Sequence, residues 1–283
     1  MIIEYKKSTK LTEYFQSKVK CSKYSADGFF YKIGFKSIQY PDVYFHTGTL
    51  NNHSKTMIEN SKIIVVNSSI LRDELVSSLG VNKNKFIVIL PINDIKKYKK
   101  SQVKIPFYKE HNISKDKKIV YFNALDFKRN GFDSFCDIVS KIESLNYKAV
   151  VTCTIDKELV YAKKVLKKYN IENDIILIKD EIFDIADIYV QPTINKNFST
   201  NIVKAITNKC VAFIPESNYA VEVLDVFAIM DDPNDSNTAY KIDMLLRVPN
   251  ELKKVRKENH NIGKNLNTQY LENKLDKIID ILQ

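Results

Sequence analysis

Apolar residues along this chain fall into short continuous runs, separated by stretches in which they recur every three or four positions. This is the pattern of parallel strands joined by crossover helices. In the first half the runs predict strands at 2–5, 29–33, 43–46, 62–66 and 86–90. Between the last two lies a helical period over 69–79, with Ser68 or Ser69 placed to cap its start and Gly80 its end. Pro91 stops the fifth strand, and the lysine-rich stretch 93–106 has no apolar periodicity. A second series follows: strand 118–123, helix 131–144, strand 148–153, helix 156–169, strands 174–178 and 187–191, helix 199–208, then strands 210–214 and 227–230. Beyond Asp235 the pattern is helical, and Leu266, Tyr270, Leu275, Ile278, Ile279 and Leu282 form the stripe of a final helix.

The fold class read from this pattern is α/β, with two Rossmann-like, doubly wound domains. The expected organisation is a reduced first domain over 1–92, a linker over 93–114, a second domain over 115–264, and a C-terminal helix over 265–283 that returns to the first domain. Open parallel sheets bind ligands outside the carboxyl ends of their strands. The site is therefore expected in a crevice between the two domains.

Composition narrows the chemistry. No apolar run in the 283 residues approaches the ~20 needed to span a membrane. The start, Met1-Ile-Ile-Glu-Tyr-Lys-Lys, has neither the order nor the length of a secretory signal, and Cys21, Cys136, Cys153 and Cys210 form no CxxC pair. Reduced thiols in a cytoplasmic protein are expected. The six glycines, at 28, 34, 48, 80, 131 and 263, are too dispersed for GxGxxG or GxxxxGK[ST], which excludes a Walker loop and a glycine-fingerprint dinucleotide site. A net charge of +10 calls for an anionic partner: nucleic acid, an acidic lipid surface or a phosphorylated substrate. The 16 tyrosines are dispersed without an aromatic-basic motif, which argues against nucleic acid. No His, Cys or Asp spacing suggests a metal, and no cofactor is expected.

Four ordered stretches carry a resemblance. Ala186-Asp-Ile-Tyr-Val-Gln-Pro-Thr193 is followed by Asn197-Phe-Ser-Thr-Asn-Ile-Val-Lys-Ala205, then by Cys210-Val-Ala-Phe-Ile-Pro215 and Glu222-Val-Leu. This series resembles the donor half of retaining GT-B glycosyltransferases of family 4. Upstream, 61–76 and 85–93 resemble the end of the acceptor domain and its linker strand. The resemblance implies transfer of a sugar from a nucleotide-activated donor, without a metal, to a glycan or lipid-linked acceptor, as in surface polysaccharide or glycoconjugate synthesis. The chain departs from the pattern at two places. Lys196 and Lys204 stand where the family carries glutamates spaced eight apart, one toward the sugar hydroxyls and one toward the ribose. The first domain is also shorter than the family's, so it is either a reduced sheet or lacks its early strands.

The candidate site residues follow from both readings. Lys128 and Arg129, in the turn after the strand at 118–123, are placed to neutralise a donor diphosphate. Ser199, Thr200 and Asn201 open a helix whose free N–H groups and dipole suit a phosphate, although a plain N-cap is the simpler role for Ser199 or Thr200. The nucleoside is expected near 178–181, which brings in Ile178 and Glu181. A lysine donates three hydrogen bonds and accepts none, so Lys196 and Lys204 suit an anionic donor or acceptor, or else mark a motif that has decayed. His46, at the carboxyl end of its strand, resembles the histidine that family members carry on the acceptor side, where it can donate to the transferred sugar. The basic runs 96–100 and 163–168 are solvated faces or contacts to anionic lipid. Two functions remain open from the sequence: a glycosyltransferase, or a non-catalytic relative that binds nucleotide or glycan or serves as a partner subunit.

Overall fold

The computed structural model describes residues 1–6, 8–24, 39–94 and 98–282. The expected strand at 29–33, Gly28, Gly34, Lys96 and Lys97 lie outside the described residues. The chain divides into two compact units, one of Met1–Pro91 with Thr268–Gln283 and the other of Ile92–Asn267.

In the first unit the described strands are β1 (Ile2–Tyr5), β2 (Ser22–Lys23), β3 (Val43–His46), β4 (Ile63–Val66) and β5 (Phe86–Val88). They form one parallel sheet in the order β2-β1-β3-β4-β5. β3 and β4 are buried at every position, because helices on both faces of a parallel sheet leave no solvated side. The helix Ser69–Leu79 is bounded by its ends: the Ser68 hydroxyl accepts from the Ile70 and Leu71 N–H groups at 3.1 and 3.3 Å, and Gly80 turns left-handed at φ 64°. Helices at Lys10–Lys18 and Asn52–Asn60 complete the described crossovers, each with a capping box, from Thr9 and Asn51 respectively. The final helix, Thr268–Leu282, belongs to this unit. Its Tyr270 hydroxyl accepts from the Leu90 N–H at 3.1 Å, and Glu272 accepts from the Tyr14 hydroxyl at 2.5 Å.

In the second unit the strands are β6 (Lys118–Asn123), β7 (Tyr147–Thr152), β8 (Ile175–Ile178), β9 (Ile188–Val190), β10 (Val211–Pro215) and β11 (Ile229–Met230). All pairings are parallel, in the order β11-β10-β9-β6-β7-β8. The chain order therefore reverses between β6 and β9, which opens a crevice at their carboxyl ends. The core is aromatic: Phe122 of β6 packs edge-on to Phe127 at 5.5 Å, and Phe127 lies 4.6 Å from Phe132. All three are fully buried.

The stretch 93–114, expected as a linker, holds the helix Lys100–Glu110, whose Tyr108 is buried and whose Lys104 ion-pairs with the buried Asp187. Pro106 inside that helix and its lysines hid it in the sequence. The four cysteines are free thiols. Among the described residues no helix is long and apolar enough to cross a membrane, and no group of three or more His, Cys, Asp or Glu could hold a metal ion.

Candidate functional site

At the carboxyl edge of the second sheet the loops after β6, β8 and β9 enclose a cavity of about 440 Å³. Its floor begins with Asn123, the last residue of β6. The Asn123 side-chain amide donates to Glu181 Oε1 at 3.0 Å, while its backbone carbonyl accepts from Asn201 Nδ2 at 3.0 Å and lies 3.1 Å from the Tyr189 hydroxyl. One residue thus ties the β8–β9 loop to the helix Thr200–Thr207.

The turn after β6 is fixed by Gly131, at φ 81°. A Cβ there would stand 1.8 Å from the Pro192 carbonyl oxygen, so only glycine lets this turn close against the loop after β9. Across that contact Gln191 Nε2 donates to Asn130 Oδ1 at 2.9 Å, and Thr193 Oγ1 donates to the Arg129 carbonyl at 3.3 Å. Asn218 closes the far side: its Nδ2 donates to the carbonyls of Asn195 at 2.6 Å and Asn197 at 2.8 Å, and its Oδ1 accepts from the Ser199 N–H at 3.3 Å.

The start of the helix Thr200–Thr207 is left uncapped. Ser199, at its N-cap, turns its hydroxyl to Gln191 Oε1 at 2.5 Å and makes no capping hydrogen bond. Ser199, Thr200 and Asn201 at this helix start line the cavity, where an anion would complete N–H groups that no side chain caps. The plain N-cap expected for Ser199 is not formed.

Lys204 lies one turn further along the same helix. Its ammonium sits 2.9 Å from both oxygens of Glu181, a bidentate pair across the cavity, and 5.7 Å from the Phe183 ring centre. Glu181 comes from the β8–β9 loop, 23 positions earlier in the chain. The cavity consequently does hold a carboxylate, delivered from the β8–β9 loop.

Among the expected residues, Glu181, Ser199, Thr200, Asn201 and Lys204 come together here. Lys128, Arg129 and Lys196 are exposed on the adjoining loops and do not line the cavity. Ile178 lines a separate depression with Cys153 and Leu177. His46 belongs to the first unit: it is buried, its Nδ1 lies 3.3 Å from the Tyr44 hydroxyl, and among the described residues its Nε2 has no hydrogen-bond partner. Burial pushes its pKa down to about 4, so the imidazole is neutral at physiological pH.

No family model and no curated protein matches this chain. Solved structures do match its fold. A glycosyltransferase from Rickettsia africae superposes at TM-score 0.73 with 13% identity over 99% of this chain and 88% of that one. HepE of Anabaena, in complex with UDP-glucose, gives 0.70 with 12% identity over 85% and 71%. WaaG, a glycosyltransferase involved in lipopolysaccharide biosynthesis, gives 0.70 with 11% identity over 99% of both chains. The architecture shared with these proteins is the GT-B fold of two Rossmann-like domains.

Proposed function

We propose that this protein is a glycosyltransferase of the retaining GT-B kind that takes a sugar from a nucleotide-activated donor. The observation that carries this reading is the carboxyl-edge cavity. It joins an uncapped helix N-terminus, suited to phosphate, to an amide-rich wall and a Glu181–Lys204 pair, suited to hydroxyls. Its position at the switch point of a parallel sheet is where such folds bind ligands. The fold match to HepE, whose structure holds UDP-glucose, supports the same reading.

In this reading the donor diphosphate meets the helix start at 199–201, with Lys128 and Arg129 supplying the positive charge that a metal provides elsewhere. Glu181 accepts from nucleoside hydroxyls, and Ile178 borders the nucleoside. Lys196 adds charge at the donor end. His46, neutral, has an imidazole able to donate one hydrogen bond to the transferred sugar. The acceptor is a glycan or lipid-linked glycan in surface polysaccharide or glycoconjugate synthesis, reached by a cytoplasmic protein whose excess positive charge favours an anionic membrane. The second reading, a binding-only relative, is favoured by the lysines at 196 and 204, where the resemblance calls for glutamates.

The test is a thermal-shift and calorimetric screen of nucleoside diphosphates and their sugars, run on wild type and on Lys128→Ala/Arg129→Ala. A true ligand at 100 times its dissociation constant stabilises by about 2.7 kcal/mol. Binding that weakens in the double variant supports the assignment. A screen in which no nucleotide shifts the transition overturns it. Binding with no release of free nucleotide from any donor, with or without glycan acceptors, selects the binding-only reading.

A further inference from the structure

A second cleft, of about 780 Å³, opens at the opposite edge of the same sheet. It is bounded by Lys118, where β6 begins, and by Asp187, just before β9, so it faces away from the carboxyl ends of the strands. The helix Lys100–Glu110 forms one wall, the turn leading into β6 another, and Arg256 closes it from the helix Pro249–Gly263.

The charge on these walls is one-sided. Seven basic side chains line the cleft, with Asp187 as the sole lining carboxylate, and Asp187 is fully engaged. It takes Lys104, the Arg256 guanidinium at 3.1 Å and the Ile119 N–H at 2.9 Å. Its carboxyl stays below the usual range although burial opposes this, because Lys104, Lys100 and Arg256 surround it. Lys100 and Arg256 also bind backbone: Lys100 Nζ donates to the Asn208 carbonyl at 2.8 Å and Arg256 Nε to that of Lys209 at 2.7 Å. Tyr108 anchors the floor through its hydroxyl on the Lys117 carbonyl at 2.7 Å.

That leaves Lys109, Lys115, Lys117 and Lys118. Among the described residues none of their ammonium groups has an ion pair or hydrogen bond. Asp116, between them in sequence, takes the Ser114 hydroxyl instead. Lys117 and Lys118 feel the Asp116 carboxylate only through space, so four cations lining one cleft face a single nearby exposed carboxylate; they repel one another, and an anion relieves that repulsion. The first turn of the helix Lys100–Glu110, which no side chain caps, contributes Ser101 to the same wall.

We propose that this cleft is an anion site, distinct from the carboxyl-edge cavity, that takes a ligand bearing two or more phosphate charges. Lysines on flexible stems suit phosphate as point charges, whereas a bidentate carboxylate site would need a free arginine, and Arg256 is committed to Asp187. The same chemistry is found on a soluble phosphorylated metabolite and on a phosphorylated lipid headgroup.

The test compares the wild type with Lys109→Gln/Lys115→Gln/Lys117→Gln and, as a charge-matched control, with Lys163→Gln/Lys164→Gln/Lys167→Gln on the exposed face of the helix Asp156–Tyr169. Each is titrated calorimetrically with inorganic pyrophosphate and, in a second arm, wild type and the first variant are floated on phosphatidic acid and phosphatidylcholine vesicles. Pyrophosphate held by the carboxyl-edge cavity contributes equally to all three proteins. The expected result is a loss of roughly tenfold or more in the first variant and less than about twofold in the control. Flotation on phosphatidic acid that the first variant loses assigns the site to a lipid headgroup, and pyrophosphate binding without flotation assigns it to a soluble ligand. Equal loss in both variants, or a wild type that neither binds pyrophosphate nor floats, overturns the proposal. UDP titrations of the same proteins report separately on the carboxyl-edge cavity.

Discussion

Reversing the charge at position 204 probes the carboxyl-edge cavity where sequence and structure point in opposite directions. By resemblance, Lys204→Glu restores a carboxylate that the family carries. In the folded protein that carboxylate would arrive beside Glu181, whose two oxygens each sit 2.9 Å from the Lys204 ammonium. The pair is partly solvated, with side chains 35% and 50% exposed, so its direct worth is small, on the order of 0–1 kcal/mol. Two carboxylates at ~4 Å repel by ~1 kcal/mol in water and up to ~4 kcal/mol at the effective dielectric of a protein surface. Glu181 is free to swing into solvent, which caps the loss of stability near ~1–2 kcal/mol. The swing also breaks the Asn123 hydrogen bond to Glu181 and removes the acceptor from the cavity wall.

Nucleotide binding should therefore fall by roughly tenfold, the equivalent of one lost charge-assisted contact of ~1.4 kcal/mol. The assay is calorimetry with UDP on four proteins: wild type, Lys204→Glu, Glu181→Lys and the double exchange. Each single variant leaves two like charges in contact, whereas the double exchange restores an ion pair. Its stability should return to within ~0.5 kcal/mol of wild type, a coupling that a double-mutant cycle isolates. The reasoning is refuted if Lys204→Glu alone binds UDP as tightly as wild type or more tightly. In that case a carboxylate on the helix is what the ligand requires, and the Glu181 pair has no part in binding.

Two other perturbations test the frame around the cavities. Gly131→Ala places a Cβ at φ 81° and 1.8 Å from the Pro192 oxygen, so the turn must open; the cost should exceed ~2 kcal/mol, seen as a fall of at least several degrees in melting temperature, and an unchanged transition would refute the close approach. His46 has a folded pKa near 4, below the 6.5 of an exposed imidazole, chiefly because it is buried. The unfolded chain therefore binds the extra proton between those values: the contribution is complete above about pH 6.5 and disappears as the pH falls toward 4, a change of up to about 3 kcal/mol. Urea unfolding across that window should show a slope that His46→Gln removes, and equal slopes in the two proteins would contradict it.

The parallel strands were legible because burial on both faces writes them as unbroken apolar runs. The run Lys118–Asn123 predicts β6 residue for residue, and Val43–His46 predicts β3. Helices were legible only where an apolar stripe was wide enough. Asn52–Asn60 offers little beyond Met57 and Ile58 and is held by the Asn51–Ser54 capping box, a signal present in the sequence and easily passed over. Lys100–Glu110 is beyond pattern altogether, since Pro106 argues against a helix and its stability comes from Tyr108 and the Lys104–Asp187 pair. The helix start at 199–201 could be found from its polar-to-apolar transition. The amides of Asn123, Asn130, Gln191 and Asn218 could not: each is an ordinary polar residue at a strand end or turn, and the cross-loop bonds that aim them join positions up to 61 apart in the chain.

Charge shows the same division more sharply. The strand-end turn and the resemblance place cations at the donor site; Lys128, Arg129 and Lys196 stand exposed outside the cavity lining, and the lysine within it is paired with Glu181. The carboxyl-edge cavity is close to electrically balanced and rich in amides. On the proposed function such a wall would sort hydroxyl patterns, because amides donate and accept at fixed positions, and the open helix end with the adjoining Lys128 and Arg129 would meet the anionic part of the ligand. A cluster of lysines without direct ion pairs lies at the opposite edge of the sheet, at Lys109, Lys115, Lys117 and Lys118. On the two proposals, the nucleotide-sugar site and the second anion site lie at opposite edges of one sheet, so substitutions at one should leave binding at the other unchanged.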